Sequence, residues 1–145
     1  MAWEQAEGVV RLPDGAVLRG RGVRVRPVGA PLPDWSLLLL GTRPDDVDWP
    51  HWWLRWQDFS VPSDRAAARA AFAEAHRRAL AGELVEVACA GGLGRTGTAI
   101  ACIAQFAGVS AREAVRWTRQ HYDPRAIETP WQRRYIRHFT AGATR

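Results

Sequence analysis

Lysine is absent from this 145-residue chain: all 20 basic residues are arginine, set against 15 acids, for a net charge of +5. Arginine pairs well with phosphate, and a pI near 10.5 raises the question of nucleic acid. The arginines are scattered among the acids, however, and no basic block carries interleaved aromatics, so a nucleic-acid partner is not expected. Cysteine is scarce as well. Cys89 and Cys102 cannot build a disulfide framework, and neither sits at metal-ligand spacing, so no metal and no cofactor are expected. A reducing, cytoplasmic compartment fits that usage. Long hydrophobic runs are missing too. The longest aliphatic run, Leu37 to Leu40, is far too short to span a bilayer. Met1 to Glu7 has neither the basic start nor the apolar centre of a signal peptide, and no membrane partner is expected.

What remains is the composition of a globular protein, 47% hydrophobic and 24% charged, at a length that suits one domain over residues 1–145. Val9 to Leu12 and Ala16 to Arg19 flank a Pro13-Asp14-Gly15 turn and read as a hairpin. Ser36 to Leu40 is continuous enough for a strand buried on both faces. Residues 42–62 mix loop and short strand and hold Trp49, Trp52, Trp53 and Trp56. Ser63 or Asp64 caps a helix to about Leu80, with Ala68, Phe72, Ala75 and Ala79 as its apolar stripe and Gly82 beyond its end. Leu84 to Ala88 reads as a strand, and Thr98 to Ala107 as an apolar helix that should be buried all round. Ser110 and Glu113 form a capping box for a helix to about His121, and Thr129-Pro130 opens the final one. Strands first and helices behind them predict an α/β fold, a small mixed sheet flanked by helices.

The chemistry concentrates in Ala88-Cys89-Ala90-Gly91-Gly92-Leu93-Gly94-Arg95-Thr96-Gly97. A lone cysteine follows a strand, three glycines among the next five residues let the chain curl, and a helix starts just after. Curling turns successive N–H groups inward, and the positive end of the helix favours negative charge. Arg95 adds a two-pronged guanidinium for phosphoryl oxygens. A thiol is a good nucleophile only as thiolate, which a helix N-terminus and an arginine both favour. Thr96 is placed to donate to the sulfur.

Cysteine, five residues, arginine and threonine, continued as Gly94-Arg95-Thr96-Gly97-Thr98, resembles the active-site loop of the cysteine-dependent protein tyrosine phosphatases, including their small dual-specificity members. Upstream, Trp56-Gln57-Asp58-Phe59-Ser60-Val61-Pro62 is similar to that family's mobile acid loop. The order, acid before cysteine, separates the chain from low-molecular-weight phosphatases, where the cysteine comes first. The resemblance implies the three-layer protein tyrosine phosphatase fold. It also implies a two-step reaction in which Cys89 attacks phosphorus and Asp58 protonates the leaving oxygen, then activates water. Arg95 and the backbone of Ala90, Gly91, Gly92, Leu93, Gly94 and Arg95 would hold phosphate or another oxyanion. Ile127 to Gln132 resembles the glutamine loop of larger members, but Thr129 and Gln132 also satisfy a capping box, and both readings of Gln132 stand. The family's usual histidine before the nucleophile is Ala88 here, and the usual proline of the acid loop is Gln57. Neither departure removes a reacting group.

The expected activity is hydrolysis of phosphotyrosine in a phosphorylated protein or peptide, extending to phosphoserine and phosphothreonine if the pocket is shallow. The alternatives are a pseudophosphatase that binds without turnover, and an enzyme for a small-molecule phosphate. Cys102, inside an apolar helix, reads as core.

Overall fold

The computed structural model describes residues 7–24 and 32–140. Residues 1–6, most of the stretch read above for a targeting signal, lie outside the described residues. The hairpin forms as the sequence predicts. Strands β1 (Val9–Arg11) and β2 (Val17–Gly22) pair antiparallel, with Val10 opposite Leu18. Its turn closes because Gly15 takes φ +93°, a region open to glycine, and the Asp14 carboxylate accepts the Ala16 N–H at 3.2 Å.

Strands β3 (Trp35–Leu40), β4 (His51–Arg55) and β5 (Val85–Cys89) complete a five-stranded sheet in the order β1-β2-β5-β3-β4, parallel throughout except for the hairpin. The centre belongs to β5, between β2 and β3, and every one of its residues is buried. Cys89 is therefore the last residue of the central strand. The crevice beyond the carboxyl ends of parallel strands is where open α/β sheets bind ligands.

Helix α1 (Arg65–Leu80) starts where the Asp64 carboxylate accepts the Ala67 N–H at 3.0 Å, and it buries the predicted alanine and phenylalanine stripe. Helix α2 (Gly94–Phe106) is the buried central helix, enclosed from Gly94 to Ala104. It begins four residues before Thr98, because the end of the glycine-rich loop is already helical. Helices α3 (Ala114–His121) and α4 (Pro130–His138) follow. The capping box at Ser110 is half made. Its hydroxyl accepts the Glu113 N–H at 3.2 Å, but the Glu113 carboxylate takes Arg116 at 2.7 Å instead of reaching back, so α3 begins only at Ala114.

Strand alternation sorts the sheet into two faces. Leu18, Leu37, Leu39, Val85, Val87 and Cys89 share one core with α1 and α2. The other face carries Arg19, Arg21, Ser36 and Glu86, all buried. There Glu86 Oε2 accepts from Arg19 Nη2 and Arg21 Nε, each at 2.8 Å, and Oε1 accepts from Arg21 Nη2 and Ser36 Oγ, each at 3.1 Å. Ser36 Oγ in turn accepts the Trp49 indole N–H at 2.7 Å, which ties the 41–50 segment to this face. No helix of the described residues is long and apolar enough to cross a membrane.

A buried carboxylate holding three strands by charge-assisted bonds is costly to remove, because the buried arginines that it binds stay behind without those bonds. Glu86→Ala is expected to destabilise the protein by about 3–5 kcal/mol, measured as a lowered urea midpoint; an unchanged midpoint contradicts the structural weight assigned to it.

Candidate active site

Between β5 and α2 the chain curls because its carbonyls are captured from outside. Cys89 O accepts from Val23 N at 2.8 Å and Ala90 O from Arg24 N at 3.0 Å. Gly92 O accepts from the Tyr122 hydroxyl at 2.6 Å, and Leu93 O from both Gly97 N and Ile127 N. Gly94 O accepts from Thr98 Oγ1 at 2.7 Å. The N–H groups are treated differently. That of Gly92 donates to Cys89 Sγ at 3.2 Å, while those of Ala90, Gly91 and Leu93 have no acceptor among the described residues. The first turn of α2 adds its own uncommitted N–H groups and the positive end of the helix. Such a cradle suits an anion with several oxygens.

Two glycines make this packing possible. A Cβ on Gly22, at the end of β2, would lie 2.6 Å from the Gly91 carbonyl, and one on Gly92, itself at φ +79°, would lie 2.6 Å from Gly22 N. Strand and loop touch backbone to backbone.

Arg95, in the first turn of α2, is 4% exposed. Its Nη1 donates to Trp56 O at 2.9 Å, which fixes the guanidinium. Its Nε lies 3.5 Å from Asp58 Oδ1, an ion pair without hydrogen-bond geometry, so this buried N–H makes no hydrogen bond. The Thr96 hydroxyl is fully buried and is likewise without a hydrogen bond; the sulfur takes the Gly92 N–H instead of the threonine. Ala88 is fully buried. Cys102 lies in the core, where burial pushes its thiol well above the ordinary range despite the charge of Arg69.

The acid loop is braced on both sides. Trp56, wholly buried, donates its indole N–H to Ser60 O at 2.7 Å. Ser60 closes a turn by donating both N–H and hydroxyl to Gln57 O, with Phe59 held at φ 60°. Asp58 stands at the tip, its side chain about half exposed beside Arg95. From α4, Trp131 donates its indole N–H to Phe59 O, and Gln132 Nε2 donates to Ser60 O at 3.1 Å. Gln132 is itself fully buried, and its Oε1 accepts the N–H groups of Glu128 and Thr129. The Thr129–Gln132 capping box is complete. Gln132 thus makes the bonds of a capping residue and adds a brace on the acid loop.

Beside Arg95 and Asp58 opens a groove of about 560 Å³, whose lining includes Ala90, Gln57, Leu38, Leu40 and Trp49. Among the tryptophans, Trp53 donates to Leu40 O at 2.9 Å, so Trp49, Trp53 and Trp56 each spend the indole N–H on the frame around the site. One charged residue escaped sequence reasoning. Glu128 lies against Gly94 so closely that a Cβ there would overlap its Oε1. Burial, then the charge of Asp58, push the Glu128 carboxyl above its ordinary value, with Arg95 opposing. The sequence placed it within the segment that resembles the glutamine loop, just before a capped helix, and gave it no role of its own.

Because Gln132 joins α4 to the acid loop, Gln132→Ala should free that loop before it harms the fold. Faster hydrogen exchange at Ser60 is expected, with about 1–3 kcal/mol of lost stability from the unpaired groups left behind. Exchange unchanged at Ser60 would contradict the brace.

No protein-family model matches this sequence, and no curated protein sequence matches it. Solved structures do. Tk-PTP in its active form matches with a TM-score of 0.72 at 21% identity, over 96% of this chain and 100% of that one. Kinase associated phosphatase, with its catalytic-site cysteine substituted by serine, gives 0.64 at 16% identity over 92% and 94%. A variant of human DUSP28 gives 0.62 at 18% identity over 89% and 93%. Over nearly its whole length, then, this chain has the α/β fold of the protein tyrosine and dual-specificity phosphatases.

Proposed function

We propose that the protein is a phosphatase that hydrolyses phosphotyrosine, with phosphoserine and phosphothreonine as further substrates, through a phosphocysteine intermediate. The observation that carries this reading is the meeting of the Cys89–Arg95 loop with the acid loop at one cradle. Cys89 ends the central strand, Arg95 offers a buried N–H without a hydrogen bond, and Asp58 stands 3.5 Å from it. Each has a use in the same reaction. The thiolate of Cys89 attacks phosphorus, the bond to the leaving oxygen breaks, and Asp58 in its acid form gives that oxygen a proton. Charge spread over the equatorial oxygens in the transition state meets Arg95 and the inward N–H groups. The Thr96 hydroxyl is the donor in reserve for the sulfur as it leaves in the second step. The free thiols suit a reducing, cytoplasmic compartment.

The groove beside Arg95 favours a second reading, a small-molecule phosphate as substrate. About 560 Å³, lined by Leu38, Leu40 and Trp49 together with Arg24 and Arg43, is the size of a pocket for one organic group with charged substituents.

Purified protein is expected to hydrolyse para-nitrophenyl phosphate without added metal and to be inhibited by vanadate. Cys89→Ser should abolish turnover, and Asp58→Asn should slow hydrolysis of a phosphotyrosine peptide by about 10²–10⁴. Activity that survives Cys89→Ser overturns the mechanism; phosphopeptide binding without turnover makes the protein a pseudophosphatase. Rates on nucleotide or sugar phosphates that exceed those on peptides favour the groove reading.

A further inference from the structure

We propose that Glu128 is the general base of the second step, taking the proton of the water that hydrolyses the phosphocysteine, while Asp58 serves the first step as acid. The inference rests on the phosphatase reading and divides between two carboxylates what one would otherwise do twice.

The placement of Glu128 is fixed by its backbone. Arg119 donates from Nε to Ala126 O at 2.9 Å and from Nη2 to Ile127 O at 2.7 Å. Ile127 N donates to Leu93 O at 3.1 Å, inside the phosphate loop itself, and Glu128 N donates to Gln132 Oε1 at 2.9 Å. Ile127 is held at φ 69°, a left-handed conformation uncommon for a β-branched residue, and this turn aims the next side chain at Gly94. Backbone strain of this kind persists only where the surroundings over-determine it, as they do here.

The carboxylate, by contrast, is uncommitted. It takes no hydrogen bond from any described residue, is open to solvent, and rests on the first residue of α2, next to Arg95. A water there has an acceptor that no protein donor occupies. Asp58 differs: its Oδ1 accepts the Phe59 N–H at 2.9 Å and faces Arg95 Nε. Gln132, the other group in this segment able to position a water, has both ends of its amide engaged. The charged groups acting on Glu128 are Asp58 from the acid loop and Arg95 from α2, and the net effect of burial and charge is a stronger base than a free glutamate. Two carboxyl groups in such different surroundings, one against Arg95 Nε and the Phe59 N–H and one without a protein donor, suit an acid and a base sharing one site.

The step balances. The water oxygen bonds to phosphorus, the phosphorus–sulfur bond breaks with its electron pair leaving on Sγ, and the water proton passes to the Glu128 carboxylate. Inorganic phosphate departs, and the glutamic acid releases its proton to solvent.

The test is rapid mixing with para-nitrophenyl phosphate, whose good leaving group needs little help from Asp58. Glu128→Gln preserves size and breaks no described hydrogen bond. It is expected to release about one equivalent of nitrophenolate in a burst, then to turn over about 10²–10⁴ slower than the unsubstituted protein. The phosphorylated Cys89 species should accumulate in intact mass spectra, and Glu128→Asp should restore part of the rate. In the unsubstituted protein the second step should fall off as pH drops through a value above 4.5, because the base form is lost there, and this limb should vanish in Glu128→Gln. An unchanged steady rate in Glu128→Gln, or a slow rate with neither burst nor phosphoenzyme, overturns the assignment while leaving the phosphatase reading intact. Absence of turnover in the unsubstituted protein overturns the phosphatase reading itself.

Discussion

The site depends on where the carbonyls of residues 89–94 go. A backbone segment has as many acceptors as donors, and it can turn its donors inward only if other groups take the acceptors outside. Here β2's continuation takes Cys89 O and Ala90 O, Tyr122 takes Gly92 O, Gly97 and Ile127 take Leu93 O, and Thr98 takes Gly94 O. The glycines are the steric condition for this exchange. Gly22 and Gly92 let strand and loop meet without side chains between them, so the carbonyls find partners at bonding distance. The cradle is thus a consequence of packing on its outer surface, and Tyr122, bonded to the outward carbonyl of Gly92, belongs to its construction.

The same logic explains why the acid loop and the phosphate loop are not independent. Arg95 Nη1 is bound to Trp56 O, so the guanidinium that would meet phosphate is positioned by the residue that begins the acid loop. Trp56 and Gln132 both donate to Ser60 O, and Trp131 donates to Phe59 O, which joins the loop to the core and to α4. Moving Asp58 away from Arg95 would require the Phe59 turn to open or α4 to follow. The Pro-to-Gln departure at position 57 fits this arrangement. The rigidity a proline ring would supply comes instead from Ser60, which ties N–H and hydroxyl to Gln57 O.

Local patterns made much of this legible in the sequence. The Pro-Asp-Gly turn, the alanine stripe of α1, the apolar helix and the cysteine-to-arginine spacing are encoded within windows of a few to a dozen residues, where period and residue type carry the information. The rest was set by contacts between distant segments. Glu86 reads as one acid inside an apolar strand, and only the register beside Arg19, Arg21 and Ser36 reveals why it is tolerated. Glu128 reads as the residue before a capped helix, and its meeting with Gly94 arises from Arg119 and Leu93 bending the segment into place. The half-made cap at Ser110 has a similar cause: Arg116 outcompeted the backbone for the Glu113 carboxylate, and pattern alone does not rank those two partners.

Ala88 takes its meaning from the sheet. Strand alternation puts residue 88 on the face of Glu86, in register with Arg21 and Leu38, while Cys89 belongs to the core shared with α1 and α2. A histidine at 88 would therefore project from the face that carries the Arg21–Glu86 pair, away from the face that Cys89 shares with the helices. With alanine there, the bond the sulfur receives comes from a group that does not titrate, the Gly92 N–H, at the edge of the positive end of α2. The carboxyl of Glu128 is the one beside this loop that its surroundings displace, raised by burial and by the charge of Asp58 against the pull of Arg95. Two carboxylates thus meet one arginine from opposite sides, Asp58 from a braced loop and Glu128 from a strained turn, and neither placement depends on a residue at 88.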